Sequence, residues 1–230
     1  MINHISFDVW LTLLRSNQTF KALRNRLMID TFGIKQSLTV VDDTFRRMDR
    51  TFTKVNEIVG KNLDSQEMLL LILAEFDVPL SDISKVQLQD FEQQCSALFW
   101  EHQPQLIDAD FCDMASKIVS NGVSLSTLSN TGFISGAMLR QYFEQIGLGA
   151  YFAFQCYSDE HDCSKPSAVF YDIAYRNVLK IKDIDKKNVL HLGDNAVADV
   201  QGAIDFGFTA ALSQPEVGNI KKIVQAHGVF

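Results

Sequence analysis

Little in this sequence supports a zinc site, a disulfide framework, a membrane span or a nucleic-acid surface. Its four cysteines, Cys95, Cys112, Cys156 and Cys163, form no CxxC pair and keep no metal-type spacing with histidine, so reduced thiols are expected. No uninterrupted apolar run is long enough to cross a bilayer, so no membrane contact is expected. The first residues, Met1-Ile2-Asn3-His4, lack the basic start of a signal peptide, and Asp8 interrupts the apolar stretch that follows. A cytoplasmic protein is the expectation. Lysine and arginine total 21 against 28 acidic residues, a formal net charge of −7. Such a chain gains nothing from counterion release, which argues against a nucleic-acid partner. The P-loop, HExxH and GxSxG patterns are absent, and Gly147-Leu148-Gly149 lacks the third glycine of a dinucleotide fingerprint. There is no internal repeat, low-complexity tract or flexible linker.

What is present is an alternation of strands and helices with one interruption. The 230 residues, 47% of them hydrophobic, suit one core domain carrying an inserted subdomain. Ile5 to Leu13 reads as a buried strand of a mostly parallel sheet, broken by the lone carboxylate of Asp8. From about Asn17 to His102 the periodicity is helical. One apolar face runs through Phe20, Leu23, Leu27 and Ile29–Phe32, and another through Phe45, Met48, Phe52, Val55 and Val59. Asp64 with Glu67 forms a capping-box pattern ahead of Met68–Phe76. A last helix is expected to start at Ser81 or Asp82 and to run through Phe91, Cys95 and Leu98. The alternation resumes after Pro104. Strands are expected at Val123–Leu128, Phe152–Tyr157, Val189–Leu192 and Thr209–Leu212. Helices are expected at Ser135–Ile146, Pro166–Leu179 and Ala196–Phe206. The fold class is therefore α/β: a doubly wound parallel sheet over residues 1–14 and 104–230, with an α-helical subdomain inserted over 15–103.

Three polar clusters fall at strand C-termini, the edge where open α/β sheets bind ligands, and a fourth precedes a helix. Asp8 ends the first strand. Asp194 ends another, with Asp199 five residues on, and oxygen ligands of this kind suit Mg2+. The same acids also read as a turn residue and a reply to the helix dipole. Lys165 sits before Pro166 at a helix start, where a cation opposes the macrodipole unless an anion is bound there; a solvated lysine at a loop end is the alternative. Ser129-Asn130-Thr131 offers a hydroxyl, an amide and backbone N–H groups as an anion cradle, or as plain helix capping. His191, inside a strand, reads as a hydrogen-bonded core histidine. Arg46, Arg47 and Arg50 read as a solvated helix face.

In order and spacing, Asp8-Val9-Trp10-Leu11-Thr12, Ser129-Asn130, Lys165-Pro166 and Gly193-Asp194 with Asp199 resemble the four motifs of the haloacid dehalogenase (HAD) superfamily. The resemblance covers the core, and the insert looks like the family's C1 cap in position and length. It implies a Rossmann-like core and a hydrolase in which Asp8 is the nucleophile that forms an aspartyl intermediate. Thr12, Ser129, Asn130 and Lys165 would hold the transferring group. Asp8, the backbone carbonyl of Trp10, Asp194 and Asp199 would bind Mg2+. The partner would be a small phosphorylated metabolite, and the oligomeric state is left open. Two positions depart from the pattern. The family's phosphatases carry a second Asp, the general acid/base, two residues after the nucleophile; here Trp10 stands there, and its indole cannot exchange a proton at neutral pH. Leu11 replaces a common glycine. Trp10 favours a metal-independent 2-haloacid dehalogenase, while Gly193-Asp194 favours the magnesium phosphohydrolase. A non-catalytic metal- or phosphate-binding module is the third reading.

Overall fold

The computed structural model describes all 230 residues. In chain order the elements are β1 (His4–Phe7), β2 (Leu14–Arg15), α1 (Gln18–Phe32), α2 (Leu38–Val59), α3 (Ser65–Ala74), α4 (Lys85–Glu101), β3 (Gln105–Leu106), α5 (Phe111–Ser120), β4 (Ser124–Ser129), α6 (Gly136–Gln145), β5 (Phe152–Tyr157), α7 (Ala168–Ile181), β6 (Val189–Gly193), α8 (Gly202–Phe206), β7 (Thr209–Leu212) and α9 (Ile220–Ala226). Five strands make a parallel sheet in the order β5-β4-β1-β6-β7. This is the doubly wound α/β core. After β1 the chain builds outward on one side through β4 and β5, then crosses to the other through β6 and β7. The central strand β1 is therefore the point where the strand order reverses, the place at which such sheets form a crevice.

The chain falls into two compact units. One comprises Met1–Arg15, Asn56–Asn62 and Leu106–Phe230; the other comprises Ser16–Val55 and Leu63–Gln105. The end of α2 and the turn after it, residues 56–62, thus belong with the sheet, although the helical periodicity groups them with the insert.

Alternation along the strands explains how the sheet is covered. Phe7 meets Phe111 of α5 edge-on at 5.2 Å. Its neighbour Ser6 points the other way, where His191 meets Tyr171 of α7 at 5.6 Å. On that side Leu128, Phe170, Tyr171, Ala174, Val178, Ala203 and Phe208 form one buried cluster. Burying apolar side chains of this size contributes about 1.5–3 kcal/mol each.

In the helical unit the face of α1 is turned from the expected one. Leu23 is exposed, while Phe20, Arg24 and Met28 are buried. The Arg24 guanidinium lies 3.5 Å from the centroid of the Phe45 ring and donates to Asn25 Oδ1, which lets a cation occupy an apolar stripe. The capping box of α3 is present at Asp64 and Glu67. α4 starts later than expected: Leu80–Asp82 form a short 3-10 turn, and Ser84 caps Lys85–Glu101. Arg46 and Arg47 pair with Asp43 and Glu75 on the surface, and all four cysteines are free. No helix is long and apolar enough to cross a membrane.

At the N-terminal end of the sheet His4 is fully buried. Its ring nitrogens lie 2.7 Å from Ser124 Oγ and 2.8 Å from Ser126 Oγ, and the ring stacks on Phe154. Burial, followed by the charge of Lys182, pushes its pKa from 6.5 down to about 3. The native state then holds this histidine neutral while the unfolded chain protonates it. The resulting stability is present above pH 6.5 and drains away as the pH falls toward 3, at up to ~1.4 kcal/mol per pH unit. Urea midpoints measured across this window should fall more steeply for the native protein than for His4→Gln. Parallel curves would refute the assignment.

Candidate active site

β1, β4 and β6 are neighbours, so their C-terminal ends bring Asp8, Ser129 and Asp194 to one edge. The Asp8 amide donates to Leu192 O at 2.8 Å, which ties the end of β1 to β6. Asp8 itself is buried. Its Oδ1 accepts from Ser129 Oγ at 2.9 Å and from Lys165 Nζ at 2.8 Å. The ammonium of Lys165, 1% exposed, also donates to Asp199 Oδ1 at 2.5 Å. One buried cation thus bridges two carboxylates.

Lys165 is aimed by its main chain. Asn130 Oδ1 accepts from Lys165 N at 2.8 Å, and Asn130 Nδ2 donates to Lys165 O at 3.0 Å. Both polar ends of the Asn130 amide are thereby committed to the lysine backbone. The helix after Lys165 begins at Ala168 with Ser167 as its cap, so Pro166 is not the first helical residue as its position suggests. The expected cradle at Ser129-Asn130-Thr131 also differs. Thr131 N donates to Ser158 Oγ at 2.8 Å, and α6 starts only at Gly136, whose amide is taken by Asp159.

Asp199 lies in a wide helical turn, Ala196–Gln201, that precedes α8. Besides Lys165 its Oδ1 has His191 Nε2 at 3.2 Å, and its Oδ2 accepts from Asn195 N at 2.9 Å. His191 in turn reaches Ser6 Oγ at 3.1 Å. Tyr171 OH donates to the carbonyl of Ala198 at 2.7 Å and so fixes the turn from α7. A Cβ at Gly193 would collide with the Asp199 carboxylate, which is why a glycine ends β6.

The turn after Asp8 is wound on a single carbonyl. Leu13 N and Leu14 N donate to Val9 O at 2.9 and 2.8 Å, and Leu11 closes the turn with a left-handed φ of 58°. That conformation costs a residue with a Cβ roughly 1–2 kcal/mol and explains why glycine suits the position. Trp10 stands part-buried beside it. Thr12 is fully buried, and its hydroxyl oxygen has no hydrogen-bond partner.

Charge is unbalanced here: three carboxylates face one ammonium. Burial, reinforced by Asp199, raises the Asp8 pKa to about 6 against the pull of Lys165 and Ser129. Burial and the charges of Asp8 and Asp199 raise Asp194 to about 7. For Asp199 burial is outweighed by Lys165 and His191, which hold it well below the usual carboxylate range. Burial also works against the Lys165 ammonium, but Asp199 and Asp8 keep its pKa above the ordinary value. Asp8, Asp194 and Asp199 each offer an oxygen, all within 4.8 Å of one another. A hard divalent cation fits this donor set, since it would supply the missing positive charge to carboxylate oxygens of the kind Mg2+ takes.

The fold aligns over its whole length with a solved structure, the HAD-hydrolase YfnB from Bacillus subtilis, described as putative and as bound to magnesium. The TM-score is 0.74 at 18% identity, over 99% of each chain. Residues 162–222 match the family model described as "HAD-hyrolase-like". This is a HAD-like fold. A second HAD-like structure, the L-2-haloacid dehalogenase from Xanthobacter autotrophicus, aligns with a TM-score of 0.60 at 19% identity, covering 98% of this chain and 83% of that one. Among curated proteins, 5-amino-6-(5-phospho-D-ribitylamino)uracil phosphatase YigB of Escherichia coli (strain K12) is 35% identical over 77 residues, 34% of this chain. The match spans only 31% of that protein's length.

The HAD-like motifs converge as topology requires, but their partners were not all legible. His191, Tyr171, Ser158 and Glu57 each bond to a residue of the site or to its neighbour and carry no motif. The one available signal was parity. Ser6 and His191 are polar residues of buried strands, opposite each other in register. Gly193→Ala should lose about 1–3 kcal/mol in urea unfolding, because the added methyl overpacks a closed site. Unchanged stability would show that Asp199 does not lie against β6.

Proposed function

We propose that this HAD-like protein is a Mg2+-dependent phosphohydrolase acting on a small phosphorylated metabolite. The observation that carries the reading is Asp8 Oδ1 held by Ser129 and Lys165, with oxygens of Asp194 and Asp199 close by. Both hydrogen bonds converge on Oδ1, which leaves Oδ2 as the attacking oxygen. That oxygen adds to phosphorus as the ester oxygen leaves with its bonding pair. Water then cleaves the aspartyl phosphate, releasing inorganic phosphate and restoring the carboxylate. Lys165 and Ser129 donate toward the transferring group, and Thr12 adds the buried hydroxyl whose oxygen is unpaired. Asp8, Asp194 and the Trp10 carbonyl would hold Mg2+, and Asp199, whose oxygens are engaged by Lys165, His191 and the Asn195 amide, would support them. Bound there, Mg2+ offsets the charge gathered on the phosphoryl oxygens.

Trp10 sets the leaving-group requirement. With no acid two residues after the nucleophile, the departing oxygen leaves unprotonated or takes its proton from water. General acid catalysis is typically worth about 10²–10⁴ in rate. Turnover of p-nitrophenyl phosphate, a good leaving group, should therefore exceed that of alkyl phosphates by a factor of that order, and Trp10→Asp should narrow the gap. Activity should require Mg2+, vanish in EDTA and be absent in Asp8→Asn. Phosphatase activity that persists in EDTA would sink the reading. Trp10 itself supports a second one, displacement of halide from a 2-haloacid by Asp8. Halide release in EDTA, with silence on phosphate esters, would replace the first reading with the second. Silence on both panels would favour a binding module.

A further inference from the structure

One short segment touches three loops of the site. Residues 56–62, the end of α2 and the turn that follows, group with the sheet. Asn62 Oδ1 accepts from Ser158 Oγ at 2.6 Å, and Ser158 in turn accepts from the Thr131 amide. Ser164, the residue before Lys165, donates from its amide to Gly60 O at 3.2 Å and from its hydroxyl to Lys61 O at 3.0 Å. Asn195, the residue after Asp194, donates from Nδ2 to Glu57 Oε1 at 2.7 Å. Ser158 and Ser164 are fully buried, and Glu57 and Asn195 are half-buried.

The Asn195 contact differs from the others in what depends on it. All other hydrogen bonds of Asn195 are local. Its Oδ1 accepts from Val197 N and Ala198 N at 2.8 and 2.9 Å, and its own amide donates to Asp199 Oδ2. These bonds give the turn its shape but do not fix it to the rest of the core. Tyr171 holds the far end of the turn at Ala198, and Glu57 holds its near end at Asn195, from 138 residues away in sequence. A charged acceptor makes that bond stronger than a neutral one would be.

We propose that Glu57 is a positioning residue for the Asp194 turn: it anchors Asn195, and through it sets where the neighbouring Asp194 carboxylate stands. The consequence for metal affinity rests on the magnesium reading above; the anchoring itself does not. In a HAD-like protein whose nucleophile loop lacks a second acid, a carboxylate from outside the four motifs thus supports the acidic cluster.

The test is amide hydrogen exchange at Asn195, Val197 and Ala198 in metal-free protein, followed by Mg2+ titration in a calorimeter. Glu57→Ala should speed exchange at these amides about 10-fold or more, and weaken Mg2+ binding about 10–100-fold, the usual effect of losing an outer-shell partner. Glu57→Gln keeps an acceptor oxygen at the same reach and should stay within about 3-fold of the native protein in both. If Glu57→Ala does not fold, Glu57→Asp, one methylene too short, should shift both measurements in the same direction. Native exchange in the shortened variants would overturn the proposal, and so would equal losses in Glu57→Ala and Glu57→Gln. Faster exchange in a protein that binds no Mg2+ even when native would leave the anchor standing and refute the magnesium reading instead.

Discussion

The ammonium of Lys165 lies between the carboxylates of Asp8 and Asp199, out of reach of solvent, and most of the surrounding architecture serves to keep it there. Taking such charges out of water costs several kcal/mol per ion, and the mutual attraction offsets this only when geometry and remaining hydrogen bonds are good. The protein meets that condition in several places at once. Asn130 grips the lysine main chain, Ser129 satisfies Asp8, and His191 and the Asn195 amide complete Asp199. Gly193 leaves the space that the Asp199 carboxylate fills. None of these partners is spare, because a buried carboxylate that loses one is left with a desolvated charge.

The same arrangement leaves a deficit of positive charge that the chain does not correct. Asp194 is raised to about 7 and Asp8 to about 6, both through burial first and neighbouring acids as well. The turn after Asp8 adds to the cost. Leu11 holds a left-handed conformation, and Thr12 keeps a buried hydroxyl oxygen unpaired. Strain and orphaned polar atoms gathered in one turn are characteristic of functional loops. Trp10 stands part-buried on that same turn.

The three clusters at strand ends are readable because a parallel α/β alternation fixes which strand ends share an edge. Asp8, Ser129 and Asp194 come together in the structure for that reason, and Lys165 joins them from a loop held by Asn130. Boundaries and faces were less legible. α1 buries Arg24 where periodicity selected Leu23, since a guanidinium stacked on Phe45 passes for an apolar residue only after folding. Pro166 looked like a helix start, yet Ser167 caps α7, because a serine oxygen can bond the free amide of Val169. The Asn130 side-chain amide bonds the Lys165 backbone at both ends, a pairing that no local spacing announces.

By itself the sequence determined the fold class, the interruption after the first strand, and the residue types able to bind a phosphoryl group and a cation. These follow from local periodicity and from chemistry carried within a few adjacent positions. Only the tertiary structure decided which partners each of those residues keeps. Ser6 and His191 meet through strand register, Asn130 meets Lys165 across a loop, and Glu57 meets Asn195 from a helix end grouped with the sheet. Such pairings join positions far apart in the chain, and nothing in the local spacing of either member specifies the other.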